Sequence, residues 1–78
     1  MINVEILSCD SSRSYEAEAV FLPGVLGEFE VLDQHAPIIS ALTGGRIRIR
    51  TFSGMEDIVI KGGIVHYKGG VMKICVEE

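Results

Sequence analysis

The chain has 78 residues, of which 47% are hydrophobic and 6% aromatic. So short a chain supplies one compact core and little volume for a deep ligand pocket. The formal net charge of −4, with seven basic residues against eleven acidic ones, argues against a nucleic-acid binder and against a polybasic membrane anchor. No stretch reaches the roughly 18 apolar residues of a membrane span, and Met1 is not followed by a signal peptide, so we expect a soluble protein.

Apolar and polar residues alternate along several short runs, which is the pattern of a strand with one buried face. Such runs cover residues 2–6, 15–21, 28–31 and 46–50. Short β-branched pairs at 38–39 and 64–65 add two more strands. Residues 58–60 and 71–76 are more continuously apolar, which predicts strands covered on both faces.

Turn residues separate these runs at 11–12, 23–24, 33–34, 44–45, 53–54, 62–63 and 69–70. The glycine pairs at 62–63 and 69–70 lack the spacing of a phosphate-binding loop and predict tight turns or close backbone contacts. About eight strands at this spacing predict one all-β domain over residues 1–78. The pattern favours an antiparallel sandwich or a barrel and does not choose between them.

Residue types used in catalysis and metal binding are present but scattered. Five residues, Ser8, Ser11, Ser12, Asp33 and His35, supply the groups of a hydrolase, yet no Gly-x-Ser-x-Gly turn accompanies them. Cys9, Cys75, His35 and His66 lack the spacing of metal ligands, and we interpret His66 as an ordinary strand residue. We therefore expect no catalytic residue, no metal and no cofactor.

The two cysteines lie near opposite ends of the chain, each inside an apolar run. We interpret Cys9 and Cys75 as reduced core thiols of a cytosolic protein. A disulfide between the terminal segments stays open as an alternative, since it requires only that the two strands be neighbours.

Arg46, Arg48 and Arg50 place three guanidinium groups on one face of a predicted strand. Such a stripe is the best candidate for an alternative function, a small β-barrel module that binds nucleic acid. Only Phe52 lies close enough to add the base stacking that a single strand needs. The competing interpretation is a solvated face whose arginines pair across strands with Glu16, Glu18 or Asp57.

The segment at 24–37 departs from the rest because apolar side chains stand in or beside its turns. Val25 and Leu26 follow Pro23 and Gly24, while Pro37 interrupts an apolar run. Because proline cannot donate to a sheet, Pro37 must lie at an edge or at a strand start. Exposed apolar residues beside glutamates predict a contact surface, and a loop folded over the core is the alternative.

This segment also carries a resemblance to a known family. Residues 27–29 (Gly-Glu-Phe), Leu32 and residues 35–42 (His-Ala-Pro-Ile-Ile-Ser-Ala-Leu) resemble the ε subunit of F-type ATP synthases. Further similarities follow at 4–8, at 45–49, at 60–65 and in the valine-rich last strand, so the resemblance covers essentially the whole chain.

The resemblance implies a flattened β-sandwich of about ten strands, somewhat more than the eight counted from the pattern. It implies a non-catalytic rotor subunit that joins the γ shaft to the membrane ring of c subunits in a proton- or sodium-driven ATP synthase. The complex would lie at the cytoplasmic face of the bacterial inner membrane, with this chain peripheral to the bilayer.

The resemblance also assigns contacts. Glu28, Phe29, Glu30 and Val31 would face the c ring, while His35, Ala36 and Pro37 would lie near the junction of γ and the ring. Ser8 would be a strand-end residue close to γ.

Three features of the sequence depart from the family. Glu30 stands where a glycine is common, and Asp33-Gln34 replaces a usual Pro-Gly, so we expect a changed loop conformation. The family usually continues into two C-terminal helices, to which inhibition of ATP hydrolysis and ATP sensing are attributed. This sequence ends at Glu78, directly after the last predicted strand, so we do not expect those two roles of it.

Overall fold

The computed structural model describes all residues from Met1 to Glu78, and they form eight strands and no helix. Each of the eight runs recognised in the sequence lies within one strand, which confirms the predicted all-β fold. The strands are β1 (Ile2–Leu7), β2 (Ser12–Gly24), β3 (Gly27–Leu32), β4 (Ile38–Leu42), β5 (Gly45–Thr51), β6 (Gly54–Ile60), β7 (Gly62–Lys68) and β8 (Val71–Glu77). The number is eight, not the ten implied by the resemblance. Gly62 and Gly63 begin β7 and do not form a turn, but the backbone of Gly63 lies close to that of Cys75 and Val76, which is the close contact predicted as the alternative.

Strand β2 organises the architecture because it is 13 residues long and pairs on both edges. Its first half pairs with β1 and its second half with β3, while β5 pairs along the opposite edge. The hydrogen-bonded order is β1-β8-β7-β4-β2-β5-β6. Since β1 also pairs with β2, the sheet folds back on itself into two layers, with extents of 26 × 24 × 17 Å.

One pairing differs from the predicted antiparallel arrangement. Strands β1 and β8 run parallel, with Leu7 opposite Cys75. Every other pairing is antiparallel. The path from β8 to β1 through β7, β4 and β2 contains an even number of antiparallel pairings, so β8 and β1 point in the same direction.

The core between the two layers is mainly aliphatic. Seventeen hydrophobic residues are buried, and no polar or charged residue is buried with them. Alternation along β1, β5, β7 and β8 sends every second side chain inward, as the sequence pattern predicts. Tyr67 is the largest fully buried side chain, and its hydroxyl has no hydrogen-bond partner within the chain.

Two expectations about burial are wrong. Strands β6 and β8 are not covered on both faces, because Val59 is 67% exposed and Val71 is 42% exposed. Cys9 and Cys75 are free thiols, but both are exposed and neither belongs to the core. Continuous hydrophobicity misleads here because a two-layer sheet leaves one face of each strand open to solvent.

No helix in this chain has the length and apolar character needed to cross a membrane.

The neighbouring strands β7 and β8 offer a matched test of the core. Ile74→Val removes a methylene from a fully buried side chain, so we expect a loss of about 1 kcal/mol in the free energy of unfolding. Ile64→Val makes the same change at a side chain that is 56% exposed, and we expect a change within about 0.5 kcal/mol. Urea denaturation of both variants measures this difference, and equal losses would contradict the assignment of faces.

Candidate functional site: a groove between β3 and β4

The turn between β2 and β3 presents two apolar side chains to solvent. Val25 is 59% exposed and Leu26 is 101% exposed. Neither residue adopts a positive φ; Gly27, with φ of 130°, supplies the unusual backbone angle that closes the hairpin. The backbone geometry of the turn therefore holds its hydrophobic residues outward. Gly27 adopts the one angle that would strain any other residue.

The ring of Phe29 lies against the base of this turn. Gly24 is buried, and a Cβ atom at that position would come within 2.8 Å of both the Phe29 ring and the Gly27 carbonyl oxygen. Phe29 also packs against the core cluster while keeping part of its surface accessible. A glycine at 24 is thus required for Phe29 to occupy this place.

Two backbone hydrogen bonds fasten the hairpin to β4. The Val25 N–H donates to the Ala41 carbonyl at 3.3 Å, and the Thr43 N–H donates to the Pro23 carbonyl at 2.8 Å. Between them Gly24 pairs with Leu42, which is the only residue pair joining β2 to β4. Further along β4, away from this pair, no residue of β4 pairs with β2.

A groove of about 450 Å³ lies between the hairpin and β4, and we call it the β3–β4 groove. One wall comes from the β2–β3 hairpin and the other from β4 and the residue His35. Ile39 on β4 is 74% exposed at this wall. The complete lining is Gly24, Val25, Leu26, Gly27, Glu28, Phe29, His35, Ile38, Ile39 and Ser40. It is a mainly apolar surface with one carboxylate, that of Glu28.

The loop at 33–37 joins the two walls and is held by local bonds. The His35 N–H donates to the Leu32 carbonyl at 3.1 Å, and His35 Nδ1 lies 2.7 Å from the Ala36 carbonyl oxygen, as a donor. The His35 ring stands edge-on to Tyr67, with ring centroids 6.2 Å apart. Gln34 takes a φ of 68°, a left-handed backbone conformation that glycine adopts freely and other residues adopt rarely.

Asp33 joins this loop to the start of the chain. Its carboxylate accepts a hydrogen bond from the Met1 ammonium group at 2.9 Å and another from the Gln34 N–H at 3.0 Å. The bond to the ammonium group is the main reason that the pKa of Asp33 lies below its usual range, and the positive charge itself and the Gln34 N–H add to it. The interaction is exposed to solvent, so we expect salt to weaken it.

The structure brings together only part of the predicted contact set. Glu28, Phe29 and His35 line the groove. Ala36 and Pro37 are exposed in the loop beside it, and Pro37 directly precedes β4, which confirms its placement at a strand start.

The remaining three predicted residues lie elsewhere. Glu30 is exposed but stands outside the groove, opposite Phe21. Val31 is fully buried in the core, so its side chain offers no surface to a partner. Ser8 lies in the β1–β2 turn, where its hydroxyl is 2.7 Å from that of Ser11, and strands β8 and β7 stand between β1 and β4.

Ile39 and Ser40 were not among the predicted contact residues, although they form one wall of the groove. One feature of the sequence could have pointed to Ile39 and Ser40: they belong to a short uncharged strand that begins after a proline. What the sequence lacks is the pairing of β4 with β7, which decides that the other edge of β4 is open.

The arginine stripe lies on the exposed face of β5, which pairs with β2, and each of its guanidinium groups has a carboxylate nearby. Arg46 and Arg48 approach Asp57 at 3.7 and 3.9 Å, and Arg50 approaches Glu18 at 3.9 Å. The Arg48 guanidinium also stands 5.7 Å from the centroid of the Phe21 ring. Cross-strand pairing with Glu18 and Asp57 is therefore confirmed, while Glu16 takes no part in it.

Groups that bind metals do not gather in this fold. No three His, Cys, Asp or Glu side chains are close enough to hold a metal ion. His66 lies on β7 between Ile39 and Lys73 of the neighbouring strands, which confirms its interpretation as an ordinary strand residue.

Comparison with known proteins agrees with this architecture. The family model described as ATP synthase, Delta/Epsilon chain, beta-sandwich domain matches residues 1–78. The chain therefore belongs to the family of the ATP synthase delta/epsilon chain β-sandwich domain.

Two curated relatives illustrate the similarity. The ATP synthase epsilon chain of Ruthia magnifica subsp. Calyptogena magnifica is 35% identical over 74 residues, which are 94% of this chain and 54% of the relative. The ATP synthase epsilon chain of Gloeothece citriformis is 34% identical over 61 residues, which are 78% of this chain and 44% of that relative. The chain thus spans about half the length of the curated relatives it matches.

Two solved structures contain chains with a similar fold. One is the cryo-EM structure of Euglena gracilis mitochondrial ATP synthase (OSCP/F1/c-ring), with a TM-score of 0.91, 25% identity and coverage of 99% of this chain and 51% of that one. The other is the Tetrahymena thermophila mitochondrial ATP synthase central stalk/c-ring, with a TM-score of 0.84, 14% identity and coverage of 99% and 63%. The second shows the fold alone.

The bond between Asp33 and the N-terminus predicts a specific pH dependence. Because the pKa of Asp33 is lowered in the folded chain, its contribution to stability is present above the pKa of the unfolded state and is lost as pH falls through the folded value. We expect Asp33→Asn to flatten the fall in unfolding free energy between about pH 5 and about pH 2.

Asp10→Asn is the matched control, since Asp10 is an exposed turn aspartate without an ion pair. Urea denaturation across this pH range measures both variants. If Asp33→Asn follows the same pH curve as the unsubstituted chain, the bond to the Met1 ammonium group contributes nothing in solution.

Proposed function

We propose that this chain is a non-catalytic rotor subunit of an F-type ATP synthase, which couples the γ shaft to the membrane ring of c subunits through surface contacts. The observation that carries the proposal is the β3–β4 groove. The groove brings exposed apolar side chains and one carboxylate together on the surface of a small domain. Membership of the family supports this assignment.

The two walls of the groove suggest a division of contacts. Glu28 and Leu26 are exposed on the hairpin and Phe29 keeps part of its surface accessible beside them; these three would meet the c ring. His35, Ala36 and Pro37 form the loop on the other side and would meet γ near the ring. Glu30 is exposed on the adjacent face and would touch the ring only at its margin, while buried Val31 drops out of the contact set.

Ser8 belongs to a separate surface in this proposal. It lies at the end of β1, close to Val76 and Glu78, with two strands between it and β4. A contact between Ser8 and γ would therefore require γ to touch the domain at a second place. The groove and the Ser8 turn are then two fixed points on one rigid body.

The mechanical demands of coupling agree with the fold. A part that transmits torque needs a scaffold that does not deform and a surface that binds without chemistry. The two layers share one close-packed core, and close-packed interiors have low compressibility. The proposed role needs neither a cofactor nor a bound metal.

The subunit would act at the cytoplasmic face of a bacterial inner membrane, peripheral to the bilayer. The coupling ion would be the proton or the sodium ion.

Binding of nucleic acid gains no support from the structure. Each guanidinium group of the stripe faces a carboxylate, which would have to be displaced before phosphate could bind. Of the two aromatic rings near the stripe, Phe21 is already covered by Arg48, and Phe52, in the turn after β5, is 93% exposed but offers only one ring for stacking.

Charge reversal in the groove tests the proposed contact with the ring. We expect Glu28→Lys to weaken binding to the purified c ring by roughly tenfold, because a favourable charge pair at the contact becomes a repulsive one. The matched control is Glu56→Lys, which makes the same change at an exposed glutamate on β6, outside the groove. Biolayer interferometry on c ring in detergent measures both affinities.

Equal affinity of the two variants would remove Glu28 from the contact. If the c ring bound neither the variants nor the unsubstituted chain, that result would contradict the proposed function itself.

A further inference from the structure

The open edge of β4 offers main-chain hydrogen-bonding groups to the β3–β4 groove. Neighbouring residues of a strand direct their N–H and C=O groups to opposite edges. The Ala41 carbonyl accepts from Val25, on the side of β4 away from β7. The backbone groups of Ile39 point the same way, and no strand pairs with β4 on that side except at Leu42.

The open edge of β4 lacks the charged residues that protect the other free strand edges against pairing with a further strand. Strands β3 and β6 each pair on one side only, and each carries two acidic residues, Glu28 and Glu30 on β3, and Glu56 and Asp57 on β6. Charged side chains on an edge strand discourage the addition of another strand. Strand β4 (Ile-Ile-Ser-Ala-Leu) carries no charge at all.

The open stretch has a defined length. Pro37 limits it at the start, since proline has no N–H to offer, and the bond from Val25 to Ala41 closes it at the other end. An incoming segment therefore finds the N–H and C=O of Ile39 and the N–H of Ala41. The side chains beside that path are apolar, with Phe29 and Leu26 on the facing wall.

We propose that the edge of β4 binds an extended segment of the γ subunit as an added strand. The segment would pair with Ile39 through its backbone, place alternate apolar side chains in the groove and bring a Lys or Arg near Glu28, so that this carboxylate is shared between γ and the c ring. Charge complementarity supports a basic segment, because Glu28 is the only acidic side chain in the groove lining and no Lys or Arg lies there. The identity of the partner rests on the proposed function, in which the loop leading directly into β4 meets γ.

Hydrogen exchange of single amides tests the pairing directly. In the isolated chain we expect slow exchange at Ser40 and Leu42, whose N–H groups point to β7, and fast exchange at Ile39. In the complex with γ the Ile39 amide should become protected by at least tenfold. Unchanged exchange at Ile39 in a complex that does form would overturn the added strand while leaving the proposed function intact.

A pair of substitutions provides a second readout. Ile39→Pro removes the outward N–H at an edge position, where proline is tolerated, and should weaken binding of γ by roughly tenfold or more. Ile39→Val keeps the N–H and should change the affinity by less than about threefold. Equal affinities of the two variants would contradict the proposal, and the exchange experiment on the unsubstituted chain decides the matter if Ile39→Pro does not fold.

Other outcomes identify other failures. If no complex with γ forms, the proposed function fails together with this inference. If the Ile39 amide is protected in the isolated chain and the protection increases with concentration, a second copy of this chain occupies the edge, and the assignment to γ is wrong.

Discussion

Strand β2 is the constraint on which the rest of the structure depends. Its 13 residues pair with β1, β3 and β5, and its last residue reaches β4. Because one strand serves both layers, a single aliphatic core of sixteen residues holds the whole domain together. Gly24, where β2 ends, is also the residue at which the groove between the hairpin and β4 begins.

The groove leaves exposed to solvent hydrophobic side chains that a core would bury. Fully burying a large aliphatic side chain is worth about 1.5–3 kcal/mol, and Leu26 and Ile39 both forgo most of it. The chain holds them outward by backbone means, through Gly27, the buried Gly24 and the two hydrogen bonds that fasten the hairpin to β4. The unrealised burial is available to a partner, which is why we interpret the groove as a binding surface.

Much of the fold was predictable because side-chain alternation depends only on local geometry. All eight strands follow from it, as does the exposed turn at Val25 and Leu26. The parallel pairing of β1 with β8 was not predictable, since period alone carries no information about strand partners. The same limit explains the errors at Val59, Val71 and Cys75, where a continuous apolar run was interpreted as burial on both faces.

The candidate site was predictable only in part, for a related reason. Glu28, Phe29 and His35 were identified from the placement of apolar residues beside turn residues and from the family resemblance. Val31 was grouped with them from the resemblance, whereas the structure buries its side chain fully in the core. Ile39 was missed because an open strand edge is a property of the assembled sheet. Ser8 is a different case, since its separation from the groove depends on the strand order alone.

The central claim is that this domain is a rotor part that binds the γ shaft of an ATP synthase. Native mass spectrometry of the chain mixed with its cognate γ subunit, both at micromolar concentration, tests it most directly. The account predicts a complex that contains one copy of each. Two free proteins under these conditions would contradict it.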